Sequence, residues 1–174
     1  MPHKDYPTSY YAATANQTAS RPALADHHQV DVCVIGAGYT GLSTALFLLE
    51  NGFKVSIVEA AKVGFGASGR NGGQIVNSYS RDIDVIERTV GPKQAQLLGQ
   101  MAFEGGRIIR ERIAKYDIQC DLKDGGVFAA LTAKQMGHLE SQKKLWERYG
   151  HTQLELMDAK RIREVVATEN YVGG

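Results

Sequence analysis

The sequence predicts an α/β fold that opens on a parallel strand–helix–strand unit. Three observations predict it. The run VDVCVIG, residues 30–36, is apolar, mostly β-branched and closed by glycine. Leu42, Ala45, Leu46 and Leu49 then recur at helical spacing. A second β-branched run, FKVSIVEA over residues 53–60, carries an acid near its end. Strand, helix and strand occupy about thirty residues, the span of one parallel crossover unit.

The remaining elements follow in chain order. Residues 1–29 read as a polar arm that either lies on another surface or is mobile. They lack the apolar middle of a secretory signal, and Arg21 is their only arginine, which disfavours a cleaved organelle peptide. The first strand is expected to be buried in a parallel sheet, with Cys33 a small buried residue within it. The helix over 39–51 stops at Gly52. Residues 61–78 then hold five glycines. That segment is too glycine-rich for a helix and too long for an ordinary connection, so it lines a ligand or is disordered.

Helical patterning resumes at 82–90 and breaks at Gly91-Pro92. Proline suits the first turn of the next helix, because the N–H it lacks has no helical partner there. That helix is predicted to run to about Tyr116 with an apolar face of Leu97, Met101, Ile108, Ile109, Ile113 and Tyr116. Gly105-Gly106 in its middle predicts a close backbone contact. GGVFAAL, residues 125–131, reads as a short strand. Thr132 and Gln135 form a capping-box pattern, and a helix to about Tyr149 follows with Met136, Leu139, Trp146 and Tyr149 on its buried side. LELM, residues 154–157, reads as another short strand, and Asp158 as the cap of a last helix through Val166. The closing YVGG reads as a cut rather than a polar tail.

Composition bounds the function. The 174 residues suffice for one domain with a core and not for two full ones. Lys plus Arg number 20 against 19 for Asp plus Glu, so nothing favours nucleic acid or an anionic membrane as partner. No apolar run is long enough to span a bilayer. Cys33 and Cys120 form no CxxC and have no His at metal-ligand spacing, so no metal site and no disulfide framework are expected, and Cys120 reads as structural. A reducing cytoplasm is the expected compartment.

The chemistry lies in Gly36-Ala37-Gly38-Tyr39-Thr40-Gly41. A GxGxxG alone is weak, but this one follows a strand, opens a helix and is answered by Glu59 at the end of the next strand. Gly36 permits the tight turn, Gly38 lets backbone approach a pyrophosphate, and Gly41 permits close helix–strand packing. The helix N-terminus with its free N–H groups, including those of Tyr39 and Thr40, then faces the phosphates. Glu59, followed by Ala60, is placed to accept the ribose hydroxyls and would repel a 2′-phosphate, which argues against NADP. The competing reading is a glycine turn without ligand and a solvated strand-end acid. The reading is thus a Rossmann-like dinucleotide unit, and the fingerprint alone does not separate FAD from NAD.

The next segment leans towards FAD. Further strand–helix units would follow in a nicotinamide dehydrogenase. Here Ser68, Gly69, Arg70, Asn71, Gly72, Gly73 and Gln74 come instead. The glycines expose backbone donors, Ser68, Asn71 and Gln74 can hydrogen-bond a flavin edge, and Arg70 can neutralise a phosphate or a reduced flavin. A mobile surface loop with a solvated arginine explains the same composition.

VCVIGAGYTGLSTALFLLENGFKVSIVEA followed by VGFGASGRNGGQIVNSYSRDIDVIE resembles the D-amino-acid oxidase-like superfamily of flavoproteins, which includes glycine and sarcosine oxidases. The resemblance covers the chain from about Ser9, and SYYAATAN, FEGGRIIRERI and LWERYG add a narrower match within the superfamily. It implies an FAD-binding domain of glutathione-reductase type interleaved with an α+β substrate domain. On that pattern residues 30–121 are the N-terminal part of the FAD domain, and 122–174 start a truncated substrate domain. It also implies oxidation of a small-molecule amine of the polyamine-conjugate class. Hydride passes from the substrate α-carbon to flavin N5, the imine hydrolyses to aldehyde and ammonia, and oxygen becomes hydrogen peroxide. Gly36, Gly38, Gly41 and Glu59 hold the ADP half, and 68–74 run beside the pyrophosphate and flavin ring. Such enzymes run to roughly four hundred residues, so the resemblance implies that most of the substrate domain is missing, that this piece alone is inactive, and that apolar surface exposed by the truncation drives self-association. It names no catalytic base. Tyr79, Tyr116 and Trp146 are candidate substrate contacts that core or surface packing would equally explain.

Overall fold

The computed structural model describes residues 6–16, 21–77 and 79–174. Parts of the predicted arm, residues 1–5 and 17–20, and the last residue of the predicted loop, 78, lie outside the described residues. The chain divides into two compact units, Met1–Gln74 and Ile75–Gly174.

In the first unit a short helix α1 (Tyr10–Thr14) begins at Ser9, whose Oγ accepts the Ala12 N–H at 3.2 Å. Strand β1 (Val32–Ile35), helix α2 (Tyr39–Glu50) and strand β2 (Val55–Val58) follow. The strands pair in parallel from Val32↔Val55 to Ile35↔Val58. Both are shorter than the apolar runs that predict them, because side chains and turns take over the donors at the ladder's ends. The Asp31 carboxylate accepts the Lys54 N–H at 2.7 Å at one end. At the other, Gly36 gives its N–H to Val58 O at 2.8 Å and then turns the chain at φ +100°.

The expectation of a buried first strand needs correction. Val32 and Val34 are half-buried, whereas Cys33 is exposed and Ile35 is 88% exposed. Val34 lies against the start of α2, within 3.3 Å of where a Cβ on Gly41 would sit. Strand alternation therefore sends Cys33 and Ile35 to the opposite face, where both are exposed. Cys120, read as structural, is exposed as well.

The second unit is helical. Helix α3 (Ile83–Val90) and helix α4 (Pro92–Lys115) meet at Gly91, and proline occupies the first turn of α4 as expected. Thr132 and Gln135 form the predicted reciprocal cap on helix α5 (Ala133–Arg148). Asp158 caps helix α6 (Ala159–Val165) by accepting the Lys160 and Arg161 N–H groups at 3.0 and 2.8 Å. Ile83, Ala95 and Tyr149 are buried together, with Ile86, Leu145 and Trp146 packed around them.

Two readings of this unit are corrected. The buried line of α4 is Ala95, Gly99 and Gly106, while Leu97, Met101, Ile109 and Tyr116 are exposed and Ile108 and Ile113 half-buried. At Gly99 a small residue wins because Tyr149 packs against it, 3.1 Å from where a Cβ on Gly99 would be. Of the glycine pair only Gly106 makes a close approach, to Asn77 Oδ1, and nothing lies near Gly105. Residues 125–131 and 154–157 form no strands. Ala130 and Asp158 each make one antiparallel bridge to Gly173, and Phe128 stays 74% exposed. A β-prone run becomes a strand only against a partner of comparable length, and here the partner is a stretch of three residues, 172–174.

Candidate cofactor site

All of the predicted cofactor-binding residues lie in the first unit, and the fold gathers most of them around the start of α2. Gly36 takes the left-handed conformation that the exit from β1 demands. A Cβ on Gly41 would collide with the Gly36 carbonyl oxygen, so α2 sits closer to the turn than any other residue allows. Gly38 is the N-cap of α2 and has no side chain to cap with. Ser68, thirty residues on, supplies the missing group: its Oγ accepts the Tyr39 N–H at 3.0 Å. Thr40 is exposed on the first turn.

Glu59 reaches back to this turn. One carboxylate oxygen accepts the Ala37 N–H at 2.8 Å and the other the Ala61 N–H at 3.0 Å. These two amides, Ala37 first, hold the carboxyl below its ordinary value against a smaller opposing effect of burial, and the Ala60 amide adds to the lowering. The group is thus an ionised acceptor with lone pairs to spare, fixed next to the N-terminal end of α2. Ala37 is a donor that the glycine pattern alone does not point to, because its side chain carries no chemistry.

The loop closes over the same turn. Gly64 donates to Ala37 O at 2.9 Å. Residues Ala67–Gly69 form one 3₁₀ turn. Asn71 Nδ2 donates to the Tyr39 hydroxyl and to Ser68 O, both at 2.9 Å, and Asn71 Oδ1 accepts the Gly73 N–H at 2.9 Å. Backbone and polar side-chain bonds within the loop thus tie residues 64–73 to the turn. Gln74 folds over Gly72, its Oε1 3.2 Å from where a Cβ there would lie. Arg70 points elsewhere: its Nε donates to Phe65 O at 3.1 Å and its guanidinium lies 5.2 Å from the Phe65 ring centre.

The candidate aromatic contacts have structural partners in the second unit. Tyr79 donates to Leu98 O at 2.7 Å, Lys115 Nζ lies 5.2 Å from the Tyr116 ring centre, and Trp146 packs edge-on to Phe103 and Tyr149. Among the described residues no cluster of His, Cys, Asp and Glu is placed to hold a metal, and no helix is long and apolar enough to cross a membrane.

Comparison with known proteins agrees with this chemistry. Residues 31–174 match the DAO family model, described as FAD dependent oxidoreductase. The chain is 58% identical over 169 residues to the gamma-glutamylputrescine oxidoreductase of Escherichia coli, covering 97% of this chain and 40% of that protein. It is 42% identical over 173 residues to a probable oxidoreductase, OrdL, of Haemophilus influenzae, covering 99% of this chain and 40% of that one. A Rhizobium meliloti protein of the same description is 31% identical over 167 residues, 94% of this chain and 38% of its own. The chain thus spans about two fifths of the length of these relatives.

Proposed function

The chain belongs to the DAO family of FAD-dependent oxidoreductases, and on that premise we propose that it anchors FAD in an enzyme that oxidises the C–N bond of an amine resembling gamma-glutamylputrescine. The observation that carries the reading is the convergence on one turn of three features: the glycine exit from β1, the anchored Glu59 carboxylate, and the polar loop 61–74. FAD is the cofactor of the family, and when bound it accepts the two electrons of the oxidation.

The residues fit that cofactor. Glu59 already spends one bond per oxygen on backbone and keeps lone pairs for the two ribose hydroxyls. Its charge disfavours a 2′-phosphate. Gly38 adds no Cβ at the N-terminus of α2, where a pyrophosphate would bind beside Ser68, whose Oγ lies 3.0 Å from where that Cβ would sit. Ser68, Gly69, Arg70, Asn71, Gly72, Gly73 and Gln74 are the proposed flank of the pyrophosphate and flavin ring. Asn71 holds their path by tying the loop to Tyr39. The net reaction turns a primary amine, oxygen and water into an aldehyde, ammonia and hydrogen peroxide. Residues 30–121 are proposed as the N-terminal part of a Rossmann-like FAD domain of glutathione-reductase type, and 122–174 as the start of an interleaved α+β substrate domain.

The test is spectral and chemical. The purified protein is expected to be yellow and to release FAD on denaturation, and the enzyme in which it anchors FAD is expected to form peroxide with gamma-glutamylputrescine faster than with glycine or sarcosine. Replacing Glu59 by Gln is expected to weaken FAD about tenfold or more, the scale of one charge-assisted hydrogen bond. A colourless protein that binds NADH instead would overturn the proposal.

A further inference from the structure

The N-terminal arm bonds to the loop 61–74 near its start and approaches it near its end. Tyr6 donates its hydroxyl to Val63 O at 2.6 Å, across 57 residues of sequence, and Lys62 Nζ lies 5.2 Å from the Tyr6 ring centre. Tyr11, on the far side of the Ser9 cap, brings its hydroxyl to 4.0 Å from where a Cβ on Gly72 would sit. The first contact has a particular geometry. The carbonyl that Tyr6 grips and the N–H of Gly64 belong to one peptide group. That N–H donates to Ala37 O, inside the glycine fingerprint. A peptide group is planar and rigid, so fixing its carbonyl fixes the direction of its N–H, and bonds at both ends polarise each other. Tyr6 and Ala37 therefore clamp a single plane between the arm and the dinucleotide turn.

We propose that the arm is a strap on the cofactor loop and that Tyr6 is a positioning residue for the cofactor, acting through the Val63–Gly64 peptide. The proposal rests on the FAD reading above. The arm holds the loop 61–74 down on the turn, so that cofactor release requires the strap to lift or the loop to open beneath it.

Tyr6→Phe removes the hydroxyl and keeps the ring over Lys62, and Tyr10→Phe is the control because the Tyr10 side chain is 75% exposed. Two quantities are measured on the full protein: hydrogen exchange of the Gly64 amide, and the rate at which flavin fluorescence appears as FAD leaves the loaded protein. Tyr6→Phe is expected to raise both about two- to tenfold, the worth of one exposed hydrogen bond, and Tyr10→Phe to raise neither. Deletion of residues 1–16 is expected to raise both at least as far. Unchanged Gly64 exchange in Tyr6→Phe overturns the strap, as does faster FAD release without faster exchange, or an equal effect of Tyr10→Phe. If the protein takes up no FAD, the proposed function fails, while the Gly64 amide still decides whether the arm clamps the loop.

Discussion

The two units are held by opposite means. Around the glycine turn the contacts are made by backbone groups, with each other or with polar side chains: Gly41 against the Gly36 carbonyl, Gly64 N–H to Ala37 O, the Ala37 amide to the Glu59 carboxylate and the Tyr39 amide to Ser68 Oγ. In the helical unit the contacts are side chain on side chain, with the Tyr149 ring set between Ile83, Ala95 and the bare face of Gly99. At the turn, glycine lets one backbone group approach another directly. A unit that only has to hold shape uses the largest ring available to fill the gap that its glycines leave. The first arrangement tolerates no added atom, while the second tolerates small ones at a cost.

That contrast can be broken most sharply at Gly41. Gly41→Ala places a Cβ inside the Gly36 carbonyl oxygen, which is backbone and cannot rotate away. The expected loss is about 3 kcal/mol or more, beyond ordinary overpacking, and denaturant titration should show it together with loss of FAD binding. An unchanged midpoint would mean that the turn is looser than its packing indicates.

The helical unit is expected to fail through Tyr149 instead. Burial first, then the hydrogen bond to Glu87 and the Glu87 charge, push the phenol up to about 12 from its ordinary 10, with the Arg148 charge opposing. A raised value means that this contribution to stability is complete below pH 10 and is lost as the pH rises through about 12. Phenolate absorbance should therefore show one tyrosine ionising late, and Glu87→Gln should bring it earlier. A tyrosine spectrum titrating in a single step near pH 10 would contradict the packing.

Gly99→Val is the helical counterpart of Gly41→Ala. It presses on a ring 3.1 Å away that can shift by a few tenths of an ångström, so a cost of about 1–3 kcal/mol is expected. A loss as large as that at Gly41 would erase the distinction between the two units. The smallest effect has the opposite sign. Nothing lies within 4 Å of a Cβ on Gly105, so Gly105→Ala should stabilise α4 by about 0.5–1 kcal/mol. The same change at Gly106, against Asn77 Oδ1, should fall short of that gain. Thermal midpoints of the two variants measured side by side check both.

Much of this was legible beforehand where the rule is local. The helix starts at Tyr39 and Pro92 and the caps at Thr132 and Asp158 depend on neighbours within four residues, and they stand where the pattern places them. The misread elements all depended on partners far away in the chain. Cys33 reads as buried because its run is apolar, yet burial needs a layer on its face. GGVFAAL reads as a strand because it is β-prone, yet a strand needs another strand. The apolar residues of α4 read as its inner face, yet the Tyr149 ring selects glycine and alanine there.

The sequence by itself determined the glycine turn between β1 and α2. Its glycines are required by backbone geometry within one strand–helix junction, and no other part of the chain can change that requirement. Tertiary structure alone decided what surrounds the turn. Ser68 caps a helix that begins on a bare glycine, Asn71 ties the loop to Tyr39, and Tyr6 grips the loop from 57 residues away. None of these side chains carries a local signal for its partner, because a hydrogen bond between distant residues is set by where the folded backbone brings them and not by the spacing between them.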